Sequence, residues 1–107
     1  MTPSPLSSDA VLAGASLRAA IRDSVGKYLD LEQYHVFIFG SEASGVADQR
    51  SDIDVGILGP HPVPGSIMQR IRAALDRLRT LRPFDVIDFA SVDESFKAEA
   101  LEHAERL

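Results

Sequence analysis

The sequence predicts a small α/β fold in which a short mixed β-sheet is backed by helices. Two observations carry that prediction. Three short runs of β-branched and aromatic residues, Tyr34 to Phe39, Asp52 to Leu58 and Phe84 to Phe89, read as strands. Stretches of helical apolar periodicity precede, separate and follow them, giving the order helix, strand, strand, helix, strand, helix. With 107 residues, one core and one site are expected.

Met1 to Ser8 carries Pro3, Pro5 and three serines, a composition expected to fray as a disordered segment ahead of a single domain over 9–107. Ser8 or Asp9 is placed to cap a first helix running to about Leu29, where Leu17, Ile21, Ser24, Val25 and Tyr28 recur near helical spacing. Tyr34 to Phe39 follows as a mostly buried strand that ends at once on Gly40-Ser41, and Glu42 to Ser51 reads as a small, polar loop. In the second strand Ile53, Val55 and Ile57 share one face, which leaves Asp52, Asp54 and Gly56 on the other. Gly59 to Gly65 holds three prolines and is a connector.

Ile67, Ile71, Ala74, Leu75, Leu78 and Leu81 form the apolar stripe of a second helix, expected to end near Arg82, before Pro83. Arg70, Arg72, Arg77, Arg79 and Arg82 read as its solvated face. In the third strand Asp85 and Asp88 stand three apart and so face opposite sides of the sheet. Ser91 and Glu94 have capping-box spacing and open a last helix, with Phe96, Ala100, Leu101, Ala104 and Leu107 as its inner face.

Composition excludes several classes of function. There is no cysteine, so disulfides, thiolate metal sites and cysteine nucleophiles are ruled out, and a reducing cytoplasm is the expected setting. No apolar run approaches a membrane span, and the start lacks the basic and apolar regions of a secretory signal. The net charge of −5 argues against a broad grip on nucleic acid. His35, His61 and His103 lie in separate segments without ligand spacing and receive no metal role.

The chemistry concentrates in Gly40-Ser41, a ten-residue spacer, Asp52-Ile53-Asp54 and an acid in the third strand. A glycine just after a buried strand lets backbone approach phosphate oxygens, and Ser41 adds a hydroxyl and an N–H donor. Carboxylates at i and i+2 project together from one strand face, which is costly unless cations occupy them. Mg²⁺ prefers such oxygen ligands, and a third carboxylate could complete a second metal site and accept the proton of an attacking hydroxyl. Strand parity leaves Asp85 and Asp88 both open for that role.

Gly40-Ser41 and Asp52-x-Asp54 at this spacing, each flanked by apolar residues, resemble the signature of the polymerase β nucleotidyltransferase superfamily. The short length, the Phe84-Asp85-Val-Ile strand and the tail from Ser91 to Leu107 make the chain similar to the minimal nucleotidyltransferase (MNT) proteins, whose usual companion is a helical HEPN protein. The resemblance covers roughly Tyr34 to the C-terminus. It implies a polymerase β-like fold, Gly40 and Ser41 at the nucleotide phosphates, Asp52, Asp54 and Asp85 as catalytic carboxylates and ligands of two Mg²⁺ ions, and ATP or another NTP as substrate. It further implies transfer of a nucleoside monophosphate to a hydroxyl on a partner protein, within a HEPN/MNT toxin–antitoxin pair. Family members often carry arginine just after Gly-Ser, where this chain has Glu42 and Ser44. That departure favours a second reading, a nucleotide-binding subunit or antitoxin that works by contact.

Overall fold

A computed structural model describes residues 12–40 and 52–107. The expected fraying of Met1 to Ser8, the Ser8 or Asp9 cap, Ser41 and the Glu42 to Ser51 loop lie outside the described residues. Helix α1 (Gly14–Gly26) is followed by β1 (His35–Phe39), β2 (Ile53–Leu58), α2 (Gly65–Asp76), β3 (Phe84–Asp88), a single 3₁₀ turn (Phe89–Ser91), α3 (Glu94–Glu102) and β4 (Glu105–Arg106). The four strands form one mixed sheet in the order β3-β2-β1-β4. β1 runs antiparallel to both β2 and β4, whereas β2 and β3 are parallel, with α2 as the crossover that parallel neighbours require.

The alternation read from the sequence decides which face each residue takes. Val36, Ile38, Ile53, Val55, Ile57 and Val86 all point to one side, where Leu17, Ile21 and Val25 of α1 and Met68, Ile71 and Leu75 of α2 complete the main core. Each such side chain removed from water contributes about 1.5–3 kcal/mol, which is what holds two short helices to a small sheet. Ser24 sits in this core without an unmet polar group, because its hydroxyl donates to the Ala20 carbonyl at 2.8 Å.

The opposite face carries Phe37, Phe39, Asp54, Gly56 and Asp85. Phe89 packs over it, with ring centroids 6.2 Å from Phe37 and 5.4 Å from Phe39, and it can do so because a Cβ on Gly56 would run into its ring. Phe96 of α3 then meets Phe39 edge-on at 6.2 Å.

Several boundaries differ from the sequence expectation. α1 begins at Gly14, after Ala13 turns extended and the Ser16 hydroxyl donates to its carbonyl at 2.8 Å. α2 stops at Asp76 rather than near Arg82. Arg77 and Leu78 already donate to carbonyls three residues back, and the chain then turns so that the Pro83 carbonyl can accept from Ile53 N–H at 2.8 Å. Leu81 is therefore 86% exposed and no part of the core, whose α2 stripe instead includes Met68.

The third strand ends at Asp88, one residue early, because Asp88 caps the 3₁₀ turn. α3 is capped by Asp93, not Ser91: its carboxylate accepts from Phe96 N–H at 2.7 Å, and that bond holds its pKa below the ordinary value. α3 ends at Glu102, and Glu105–Arg106 pair with Ile38 and Phe37 instead of continuing the helix to Leu107. Arg18 clamps this edge with two bonds to Glu105, at 2.7 and 2.9 Å, and its hydrogen bonds hold the Glu105 carboxyl below its usual range.

Because Glu105 is almost half exposed, that pair contributes modestly. Glu105→Gln is expected to cost about 0.5–1 kcal/mol at neutral pH. The contribution belongs to the ionised acid, so the difference between wild type and Glu105→Gln should vanish as pH falls below the usual glutamate range. Thermal melts at pH 7 and pH 3 check it.

Candidate functional site

β1 delivers Gly40 to the end of the sheet with φ +73°, a left-handed conformation that glycine adopts without strain. It also has no room for a side chain, since a Cβ there would strike Asp54 Oδ2. The antiparallel register makes the reason plain: Phe39 is the partner of Asp54, so the residue after Phe39 passes over the Asp54 carboxylate. Gly40→Ala is therefore expected to cost about 1–2 kcal/mol of stability and to displace Asp54, lowering nucleotide affinity by more than the melting shift accounts for. Calorimetric titration beside a thermal melt checks both.

On its other side Asp54 faces Asp85, its register partner across the parallel β2–β3 ladder, with strands about 4.8 Å apart. Asp54 is half-buried and Asp85 exposed, and Asp52, just ahead of the strand, is exposed too. Burial first, then the charge of Asp85 and then that of Asp52, push the Asp54 carboxyl above its ordinary value. The structure thus brings Asp52, Asp54 and Asp85 to one face beside Gly40, while Ser41 lies outside the described residues.

Asp88 is on the other face and its carboxylate is occupied. It is 8% exposed, one oxygen accepts from Val63 N–H at 2.7 Å and the other from Ala90 N–H at 2.9 Å. Sequence parity separated the two acids, but only the β2–β3 register places Asp85, and not Asp88, alongside Asp54.

Among the described residues, no three Asp, Glu, His or Cys side chains converge closely enough to form a metal cage on their own. A divalent ion bound through one or two carboxylates and completed by substrate phosphates needs no such cage, and this is the usual manner of Mg²⁺. The donor set fits that chemistry: hard oxygen ligands only, one carboxyl whose negative charge is disfavoured without a cation, and a glycine that leaves room over it.

The pattern described as "Polymerase beta, Nucleotidyltransferase" matches residues 27–107, a span containing every residue of this site. The chain belongs to the polymerase β nucleotidyltransferase family. Solved structures agree with the nucleotidyltransferase fold. A toxin–antitoxin structure with AMP-PNP is 18% identical with TM-score 0.63, covering 82% of this chain and 69% of that one. The tri-AMPylated Shewanella oneidensis HEPN toxin in complex with MNT antitoxin matches at 16% identity and TM-score 0.58, over 84% and 67% of the two chains. The toxin–antitoxin MntA-HepT structure matches at 16% and 0.57, over 84% and 68%. No curated protein matches the sequence. Among the described residues of this nucleotidyltransferase, no helix is long and apolar enough to cross a membrane.

Proposed function

We propose that the protein is an Mg²⁺-dependent nucleotidyltransferase that moves AMP from ATP to a hydroxyl on a partner protein, as the MNT antitoxin of a HEPN/MNT pair. The observation that carries this reading is the in-register pair Asp54 and Asp85 beside Gly40, with Asp54 resisting ionisation in the absence of a cation. The family match and the fold likeness to MNT–HEPN structures, one of them AMPylated, support the reaction class and the kind of partner.

Asp52 and Asp54 would hold the metal ions and Asp85 would complete the second site. The ions, when bound, neutralise the triphosphate and the charge that develops on the leaving group. Gly40 and Ser41 hold the β and γ phosphates with backbone N–H groups and the hydroxyl. Asp85 takes the proton of the acceptor hydroxyl, whose oxygen forms a new bond to the α-phosphorus. The bond from that phosphorus to the bridging oxygen breaks, and pyrophosphate leaves. The exposed carboxylate of Asp85 suits this role, since an acceptor carried by another protein must reach it from solvent. Little of a 107-residue chain is left to build an acceptor pocket of its own, which favours a protein partner. The setting is cytoplasmic.

The second reading, an antitoxin that works by contact, is favoured by Glu42 and Ser44, where family members often carry arginine. Purifying the neighbouring gene's product after co-expression with wild type or with the Asp52→Ala/Asp54→Ala double mutant separates the two. The enzymatic reading expects a partner heavier by AMP with wild type only, and partner activity restored in the double mutant. An unmodified partner, inhibited equally by both, would leave the contact reading alone standing.

A further inference from the structure

None of the nine residues of α3 is buried, so the helix keeps a face that the main core does not use. Phe96, Glu99, Ala100 and His103 follow the i, i+3, i+4, i+7 spacing of one helical stripe, and with Phe39 and Gly40 they line a groove of about 350 Å³. Phe96 is 40% exposed although it is a large apolar side chain, and its contact with Phe39 fixes it at the groove wall. We propose that this groove is the base subsite of the nucleotide, in which the base packs against Phe96 and the Glu99 carboxylate accepts a hydrogen bond from its exocyclic amino group. The inference rests on the nucleotidyltransferase reading above and adds where the base lies and which base is chosen.

Continuity identifies the occupant. Gly40 lines this groove and also roofs the Asp54 carboxylate, so a nucleotide with its phosphates at Gly40 and Asp54 has the aromatic groove directly beside it. The other flank of the acidic pair is a different environment. There Asp85, Arg72 and Ser91 border a second depression of about 390 Å³ along the β3 edge, and Arg72 donates to the Val86 carbonyl at 3.0 Å. The attacking and leaving oxygens of an in-line displacement need opposite approaches, so the polar Asp85 flank suits the acceptor and the aromatic flank suits the base.

The groove exceeds the lower bound of about 300 Å³ typical of small-ligand sites. A carboxylate at its rim accepts from the 6-amino group of adenine and repels the 6-carbonyl oxygen of guanine, as a site built around one hydrogen-bonding pattern does.

The test is binding of ATP, GTP and inorganic tripolyphosphate, each with Mg²⁺, to wild type, Phe96→Ala, Phe96→Trp and Glu99→Gln. Phe96→Ala should weaken ATP about tenfold or more, as loss of a base–aromatic contact does, and leave tripolyphosphate, which has no base, unchanged. Phe96→Trp should keep ATP affinity, with indole fluorescence that responds to ATP and not to tripolyphosphate. Glu99→Gln should narrow the preference for ATP over GTP. Wild type that binds ATP while Phe96→Ala binds it equally well would overturn the base subsite and leave the proposed function intact. Equal losses of ATP and tripolyphosphate in Phe96→Ala, or loss of partner binding with ATP affinity unchanged, would overturn it as well. Wild type that binds no nucleotide would overturn the proposed function together with the subsite.

Discussion

Asp54→Asn is expected to abolish nucleotidyl transfer while raising the melting temperature of the ligand-free protein. Asp54 is half-buried, faces Asp85 across the β2–β3 ladder and follows Asp52 on the same strand face, so its ionised form is opposed by burial and by two like charges. Its pKa in the folded chain is raised above that of the unfolded chain. The folded state therefore binds more protons than the unfolded state over that interval, and the site loses stability as pH rises through it. At neutral pH a neutral, nearly isosteric amide relieves the repulsion.

A cross-strand like-charge contact costs up to about 1 kcal/mol, and solvent access here brings the expected gain to about 0.5 kcal/mol. For a domain of this size that is about 2–4 °C. The same substitution removes a charged ligand from the proposed metal site and should lower turnover by at least about 10³-fold, since electrostatic stabilisation dominates this chemistry. Thermal melts without metal and turnover with Mg²⁺ check the two halves. Excess Mg²⁺ and ATP should reverse the order of the melts, because wild type binds them more tightly and gains more stability from them than Asp54→Asn does.

Asp85 and Asp88, three residues apart on one strand, should fail in opposite ways. Asp88→Ala strips the partner from the buried Val63 N–H and the cap from the 3₁₀ turn. One unmet buried donor costs about 1–3 kcal/mol and a lost cap about 1 kcal/mol, so a loss of about 2–4 kcal/mol is expected. Asp88→Asn keeps one acceptor oxygen and should be milder. Asp85→Asn touches no such bond, so its melting temperature should hold or rise slightly, while Mg²⁺-dependent nucleotide binding or turnover falls further than in Asp88→Asn. The reverse order would remove Asp85 from the proposed site.

These two acids also mark where sequence reasoning reaches its limit. Period-two alternation in β2 and β3 is local, so it put Ile53, Val55 and Ile57 on one face and set Asp85 against Asp88. Which of the two faces Asp54 depends on register across a twelve-residue helix and its loops, a non-local property that alternation within one strand does not encode. Helix ends were harder still. Leu81 continues the apolar spacing of α2, yet the need to bring Pro83 against Ile53 ends the helix first. Ala104 and Leu107 fit a helical stripe, but the outer edge of β1 recruits Glu105 and Arg106 as a two-residue strand. At Ser91 and Asp93 both residues carry a capping side chain, and the 3₁₀ turn after Asp88 uses Ser91 and leaves the cap to Asp93. Gly40, in contrast, was legible because a glycine ending a buried strand has few other uses, and its positive φ and closeness to Asp54 follow from one register.

The central claim is nucleotidyl transfer at the Asp54–Asp85 pair, and the position of the label on ATP tests it most directly. The purified protein and its genetic neighbour are incubated with Mg²⁺ and ATP labelled at either the α or the γ phosphate. Label should pass to the partner from α-labelled ATP only, need the metal, and disappear with Asp54→Asn. Transfer from the γ position, or transfer from the α position that survives in Asp54→Asn, would contradict the account.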